Sequence, residues 1–180
     1  MLTKKQMQVC INSEIYKGID HLKFIDKIWC RLFRPQSRVI LHIRKMQYYN
    51  GRINILSKYH QLILNSKYGI YINANAEIGE GLYMPHPTSI CCTNVRIGKN
   101  FTIFQNSTIG SKRLGETDVS ETPHIGDNVT IYANSAVIGN VHVADNVIVG
   151  CGAIVIHNCE EVGGIYIGSP AKIKINEELL

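Results

Sequence analysis

Residues 125–155 of this chain read IGDNVTIYANSAVIGNVHVADNVIVGCGAIV, and an aliphatic residue recurs there at every sixth position. The positions are Ile125, Ile131, Val137, Val143, Val149 and Val155. A period of six residues, in place of helical spacing, is the signature of a parallel β-helix, in which each hexad supplies one short strand and a turn. Three hexads close one triangular coil, so most of the chain is predicted to be β.

The same period extends upstream of this stretch. It is present at Ile72, Ile78, Met84 and Ile90, and again at Ile97, Ile103 and Ile109. We expect these hexad starts to face inward and to stack from coil to coil, with neighbouring coils ~4.8 Å apart. The register breaks twice, within residues 90–97 and within residues 109–125.

A glycine comes directly after several hexad starts. The positions are Gly79, Gly98, Gly126 and Gly150. We expect tight turns with positive φ there, because glycine adopts that conformation without a steric penalty.

The longer break predicts a polar loop. Residues 111–124 (SKRLGETDVSETPH) leave the hexad register and are expected to protrude from the β-helix domain, which spans residues 68–175. Polar loops that protrude from rigid solenoids often carry function, and the alternative is a tolerated surface insertion. Residues 176–180 are left as a C-terminal tail.

Residues 1–67 are predicted to form a small basic α-helical region. Over residues 19–33 the apolar side chains share one stripe, which indicates an amphipathic helix that ends at Pro35. Further helices are predicted from about 37 to 49 and from 53 to 64, with a break at Asn50-Gly51.

Charge is divided unevenly along the chain. The chain carries 19 Lys and Arg against 14 Asp and Glu, a net charge of +5. Residues 1–67 hold 13 basic and 3 acidic residues, whereas the remainder holds 6 and 11. Such asymmetry suggests an anionic partner, such as a membrane surface, a lipid-linked phosphate or an acidic polymer, and a solvated helical face is the alternative. No nucleic-acid partner is expected.

No stretch approaches the ~20 apolar residues that span a bilayer, and the first ten residues have neither an apolar core nor a cleavage site. We therefore expect a cytoplasmic protein, with peripheral contact at the inner face of an anionic membrane as a further hypothesis. The six cysteines show no CxxC pair and no zinc-ligand spacing, so they are expected to be reduced thiols.

Five stretches carry a resemblance to a known family. They are MPHPTSI at 84–90, QNSTIG at 105–110, TPHIGDNV at 122–129, AVIGNV at 136–141 and GSPAK at 168–172. Together they resemble the hexapeptide acyltransferases, and within them the serine acetyltransferase-like group that includes many polysaccharide O-acetyltransferases. The resemblance implies a left-handed coil, an acetyl-CoA-dependent O-acetyltransferase, and a homotrimer with acetyl-CoA in the groove between neighbouring subunits. No metal is expected.

His86 is the predicted general base. It is the third residue of its hexad, so its side chain is expected to project outward at a corner of the coil. Acetyl transfer from a thioester to a hydroxyl requires removal of the hydroxyl proton, and histidine suits this task because its ordinary pKa lies near the working pH. In the group that this chain resembles, the histidine of this motif is the base.

The predicted acetyl-CoA contacts also follow from the resemblance. Small residues at coil corners let the pantetheine arm approach the backbone amides. The candidates are Gly110, Ser111, Ala133 and Cys151, with Ser169 and Lys172 near the adenine and phosphate end.

The chain departs from the serine-specific pattern at three places. Tyr71-Ile72-Asn73 stands where Asp-Ile-His is typical, Pro85 stands where an Asp precedes the histidine, and Glu121-Thr122 stands where Arg-His is typical. Loss of the charged groups that hold a free amino acid favours a sugar hydroxyl as the acceptor, in capsule, lipopolysaccharide or another glycan.

Candidate contacts to that acceptor are His124, Asn73 and Glu121. The group that orients His86 is left open among Asn73, Asn75 and a backbone carbonyl. A serine O-acetyltransferase is the main alternative function. A metal-dependent enzyme of the carbonic anhydrase type, with His124 and His142 stacked 18 residues apart, and a non-catalytic solenoid are remoter alternatives.

Overall fold

The structure, a computed structural model, describes residues 2–15, 29, 33–113 and 119–174. Three helices precede the strands: α1 (Lys4–Ile15), α2 (Pro35–Tyr49) and α3 (Asn54–Tyr68). The strands are β1 (Tyr71–Ile72), β2 (Glu77–Ile78), β3 (Cys91–Cys92), β4 (Arg96–Ile97), β5 (Thr102–Ile103), β6 (Thr108–Gly110), β7 (His124–Ile125), β8 (Thr130–Ile131), β9 (Ala136–Ile138), β10 (His142–Val143), β11 (Ile148–Val149), β12 (Ile154–Val155), β13 (Ile165–Ile167) and β14 (Lys172–Ile173).

The helical region differs in detail from its predicted boundaries. The predicted helix over residues 19–33 lies outside the described residues except for Trp29 and Phe33, which are helical. Pro35 begins α2, because a proline is well tolerated at the first helical position. Helix α3 runs four residues beyond the predicted end at 64 and stops at Gly69, whose φ of 62° is left-handed.

Among the described helices none is long and apolar enough to cross a membrane. Several of the basic residues that suggest an anionic partner, namely Lys23, Lys27 and Arg31, lie outside the described residues. Contact with an anionic membrane therefore stays a prediction.

The strands form three sheets, one on each side of a triangular coil. Sheet 1 contains β1, β3, β6, β9 and β12, sheet 2 contains β2, β4, β7 and β10, and sheet 3 contains β5, β8, β11, β13 and β14. All pairs are parallel except β13 with β14. Inward residues stack as predicted: Ile97 pairs with Ile125, which pairs with Val143, and all three are buried. The predicted left-handed β-helix is confirmed.

The register of the first coil differs from the predicted one. Cys92 rather than Ile90 pairs with Ile72 on one side and Ile109 on the other. Ile90 is also buried, but in the adjacent ladder, where its carbonyl accepts a backbone N–H from β1. The extra residues of this coil therefore lie between Met84 and Cys92, eight positions apart instead of six.

The glycines after the hexad starts serve a different purpose from the one predicted. None of Gly79, Gly98, Gly126 and Gly150 has a positive φ. A Cβ on Gly98 would lie 2.7 Å from the carbonyl carbon of Gly126 in the next coil, so close stacking excludes a side chain there. Positive φ occurs two residues later, at Gly81, Asn100 and Asn128.

A buried ion pair attaches the helical region to the first coil. The Arg44 and Glu14 side chains are both 0% exposed, and the Arg44 Nε donates to Glu14 Oε2 at 3.0 Å. Arg44 also donates to the Ile78 carbonyl at 2.7 Å. Glu14 in turn accepts the backbone N–H groups of Gly81 at 3.0 Å and Leu82 at 3.1 Å. Helices α1 and α2 are thereby fixed to the corner after β2.

Arg44→Met tests this attachment. The substitution leaves the Glu14 carboxylate buried without its cation, so we expect the free energy of unfolding to fall by about 3–5 kcal/mol in urea denaturation. The matched control is Arg96→Met, because Arg96 pairs at 3.4 Å with Glu77 and their side chains are 56% and 73% exposed. That loss should stay below about 1 kcal/mol, and equal losses would contradict the prediction.

Candidate active site

His86 lies at the corner that joins sheet 3 to sheet 1, which we name the third corner. The corners after sheets 1 and 2 are the first and second corners. His86 is exposed, as predicted, and sits in the segment 85–89 that contains the extra residues of the first coil. The Thr88 N–H donates to the His86 carbonyl at 2.9 Å, which makes the segment a tight turn.

Two aromatic side chains stack next to His86 on the following two coils. The His86 ring centroid is 6.2 Å from that of Phe104, and Phe104 stacks on Tyr132 at 4.9 Å with an interplanar angle of 15°. Neither residue was predicted from the sequence. Their signal was present, since each directly follows a hexad start, Ile103 or Ile131.

Asn73 does not orient His86 in this structure. It lies at the first corner, where its Oδ1 accepts the backbone N–H of Asn75 at 2.9 Å. Asn75 accepts in turn from Asn50 Nδ2 at 2.6 Å. Across the part of the chain that the structure describes, the His86 imidazole contacts the Phe104 ring and has no hydrogen-bond partner.

Three of the predicted acetyl-CoA contacts share the third corner with His86. The Ala133 carbonyl accepts the Gly152 N–H at 2.9 Å, which places Ala133 beside Cys151 in the next coil. The Gly168 carbonyl accepts from Ile154 at 2.9 Å, so Ser169 follows at the same edge. Cys151 and Ser169 are exposed. Four coil steps of ~4.8 Å give a corner edge roughly 19 Å long.

Of the other three predicted contacts, Gly110 and Ser111 lie at the first corner and Lys172 lies in the last strand. Gly110 ends β6 at the first corner, where its carbonyl accepts the Gly139 N–H at 2.8 Å. Ser111 follows it and donates from Oγ to the Arg113 carbonyl at 2.9 Å. Lys172 lies in β14, which folds back antiparallel along β13. Within one chain Gly110 and Ser111 therefore occupy a different edge from His86, whereas Lys172 pairs with Ile167 next to the third corner.

The polar loop leaves the coil after Gly110 and rejoins it at His124, which already belongs to β7. The predicted loop end at 124 is therefore one residue too long. Glu121 ends a 3-10 turn and is exposed, while Thr122 beside it is buried and donates to the Asn94 carbonyl at 2.9 Å. That bond attaches the returning loop to the first corner. Residues 114–118 lie outside the described residues.

The predicted stacking of His124 on His142 is confirmed, since they are register partners in β7 and β10. On its other side His124 pairs with Arg96. A cation beside the imidazole disfavours a metal ion at this place. No group of three His, Cys, Asp or Glu that could hold a metal occurs in the described residues.

The described cysteines are free thiols. Cys10, Cys92 and Cys159 are buried, and burial raises the pKa of the Cys92 thiol to about 12 and that of the Cys159 thiol to about 11. Cys151 alone among the described cysteines is exposed. It is therefore the thiol that reagents reach at the third corner.

Several curated proteins that are similar to this chain are serine acetyltransferases. The serine acetyltransferase of Staphylococcus xylosus is 32% identical over 101 residues, which are 56% of this chain and 46% of that protein. The serine acetyltransferase of Staphylococcus aureus (strain Mu50) is 33% identical over 104 residues, with the same shares. The chain is similar to serine acetyltransferases. It spans about half the length of the curated relatives it matches. No family model matches the chain.

Solved structures support the fold. The crystal structure of the Neisseria gonorrhoeae serine acetyltransferase has a TM-score of 0.79 at 24% identity, and the match covers 96% of this chain and 68% of that one. A serine acetyltransferase solved in complex with CoA also has a TM-score of 0.79, at 21% identity, with 95% and 71% covered. The helical region and the β-helix are thus both included in the structural likeness.

Proposed function

We propose that this protein is an acetyl-CoA-dependent O-acetyltransferase with His86 as its general base. The observation that carries the proposal is the exposed imidazole of His86, held in a proline-flanked turn at a coil corner. The similarity to serine acetyltransferases over 101 residues supports the same chemistry.

The proposed reaction is a direct transfer. The free imidazole nitrogen of His86 takes the proton of the acceptor hydroxyl as its oxygen attacks the thioester carbonyl. A C–O bond forms, the C–S bond breaks, and the thiolate of CoA leaves. The thiolate then takes the proton from the imidazolium, so His86 is regenerated and the products are the acetyl ester and CoA thiol.

Acetyl-CoA is proposed to lie along the third corner. Ala133, Cys151 and Ser169 line this edge on successive coils, and His86 is at one end of it. Small side chains there expose backbone amides that pair with the pantetheine arm. The CoA complex of a structural neighbour supports this choice of cosubstrate.

Serine is the acceptor that the comparisons favour. The relatives and structures described above are serine acetyltransferases, and none supports a sugar. The glycan favoured by the sequence rests on Asn73, Pro85 and Glu121 standing where charged or histidine side chains are typical. We therefore propose serine as the acceptor and keep a glycan hydroxyl as the alternative, supported by the absence of the typical side chains at positions 73, 85 and 121.

A homotrimer is proposed as the active assembly. Gly110, Ser111 and Glu121 belong to the first-corner side of the coil, whereas His86 belongs to the third. A neighbouring copy can bring its first corner against the third corner of the other. Each site would then contain residues of two subunits.

His86→Ala should abolish transfer while acetyl-CoA affinity is nearly unchanged. We expect kcat to fall by about 10²-fold or more, since general-base catalysis contributes roughly 10²–10⁴-fold. Thiol release measures turnover, and calorimetry measures acetyl-CoA binding. The control is His142→Ala, an exposed histidine in strand β10 of sheet 2. Retained turnover in His86→Ala would overturn the base assignment.

An acceptor screen tests whether serine is the acceptor. We expect CoA thiol release from acetyl-CoA with serine, and mass spectrometry should find O-acetylserine. Release with sugars, sugar nucleotides or oligosaccharides, and none with serine, would instead establish the glycan alternative. His86→Ala in each reaction separates enzymatic transfer from slow hydrolysis of the thioester.

Alkylation of Cys151 tests the acetyl-CoA edge. Iodoacetamide should modify Cys151 ahead of the buried Cys92 and Cys159, and saturating acetyl-CoA should slow the reaction at Cys151 several-fold. Peptide mass spectrometry gives the rate at each thiol. The Cys151→Ser variant, tested for acetyl-CoA affinity, controls for any contribution of the thiol itself. An alkylation rate at Cys151 that bound acetyl-CoA leaves unchanged would contradict the placement of acetyl-CoA along the third corner.

A further inference from the structure

The backbone around His86 has little freedom of its own. Pro85 and Pro87 flank it, and each proline ring fixes its own φ near −65°. The residue before a proline is also restricted, which limits His86 itself. The main freedom left is the rotation of the peptide plane between Pro85 and His86. That plane sets the direction in which the imidazole leaves the coil.

One side chain holds this plane. Gln36 in the first turn of α2 donates from Nε2 to the Pro85 carbonyl at 2.9 Å, across 49 residues of sequence. The carbonyl belongs to the same peptide unit as the His86 N–H. The contact is partly buried, so water competes with it less than at the surface.

Helix α2 is attached to the coil by buried hydrogen bonds. Arg44 is buried against Glu14 and the Ile78 carbonyl, and Gln47 donates to the Ala76 carbonyl at 2.8 Å. Gln36, Arg44 and Gln47 lie on one helix, so the contacts of Arg44 and Gln47 define the position from which the Gln36 amide approaches Pro85. The rest of the turn is fixed by backbone bonds, including the Ser89 N–H to the Tyr68 carbonyl at 3.2 Å.

We propose that Gln36 is a positioning residue for the catalytic base: its amide fixes the Pro85–His86 peptide plane and thereby aims the imidazole. This inference rests on the proposed role of His86. A misplacement of roughly 1 Å in a reacting group costs on the order of 10²-fold in rate. Loss of the Gln36 donor should therefore lower kcat about 10-fold or more and leave KM for acetyl-CoA within about 2-fold.

The test compares Gln36→Met with Gln61→Met. Methionine keeps the length of glutamine and removes the donor. Gln61 is the matched control, because it is also half-buried and also donates to a coil carbonyl, that of Ile72 at 3.4 Å, from α3. Turnover is measured by thiol release with serine or with whichever acceptor the screen identifies, and thermal denaturation reports stability. Gln36→Lys places a hydrogen-bond donor at the end of the side chain, so its pH-independent kcat should lie between those of Gln36→Met and the unsubstituted protein.

A second readout does not depend on turnover. The amide and imidazole resonances of His86, assigned by their absence in His86→Ala, should shift or broaden in Gln36→Met and remain unchanged in Gln61→Met. Equal kcat in the two methionine variants, or unchanged His86 resonances in Gln36→Met, would overturn the inference. Turnover retained in His86→Ala would instead overturn the base assignment, so the two failures are distinguishable.

Discussion

Backbone hydrogen bonding from one coil to the next is the constraint on which the rest of the structure depends. Each strand has only two or three residues, so a strand is stable only because its equivalents on adjacent coils pair with it. The pairing holds adjacent coils ~4.8 Å apart and forces equivalent positions to stack. Aliphatic residues fill the interior as a result, and Gly98 must be small because the Gly126 backbone occupies the space of its side chain.

This regularity also decides where outward side chains can gather. In the described part of the coil, the chain departs from the repeat only at the corners between the three sheets. The two extra residues before Cys92 enlarge the corner that carries His86. Phe104 and Tyr132 then form one wall below the imidazole, because equivalent corner positions stack. The helical region is part of the same arrangement, since Arg44 and Glu14 attach it to the coil that carries His86.

The period predicted the fold because the inward positions from Ile125 to Val155 repeat without interruption. The period assigned Ile90 to the wrong ladder, because two buried ladders run side by side and an aliphatic residue fits either one. It also predicted the outward display of His86, which depends only on its place in the hexad. The contact between Gln36 and Pro85 could not be predicted from the sequence, because it depends on how α2 packs against the coil and follows no repeat.

The polar insertion after Gly110 does not interrupt the pairing of the coil. Ile109 pairs with Val137 although 28 residues separate them, just as Val137 pairs with Val155 across 18. The coil closes in the same way whether or not the insertion is present, and Thr122 ties its returning end to Asn94. The length and composition of this segment are therefore not set by the ladder, because the strands on either side of it pair as they do elsewhere in the coil.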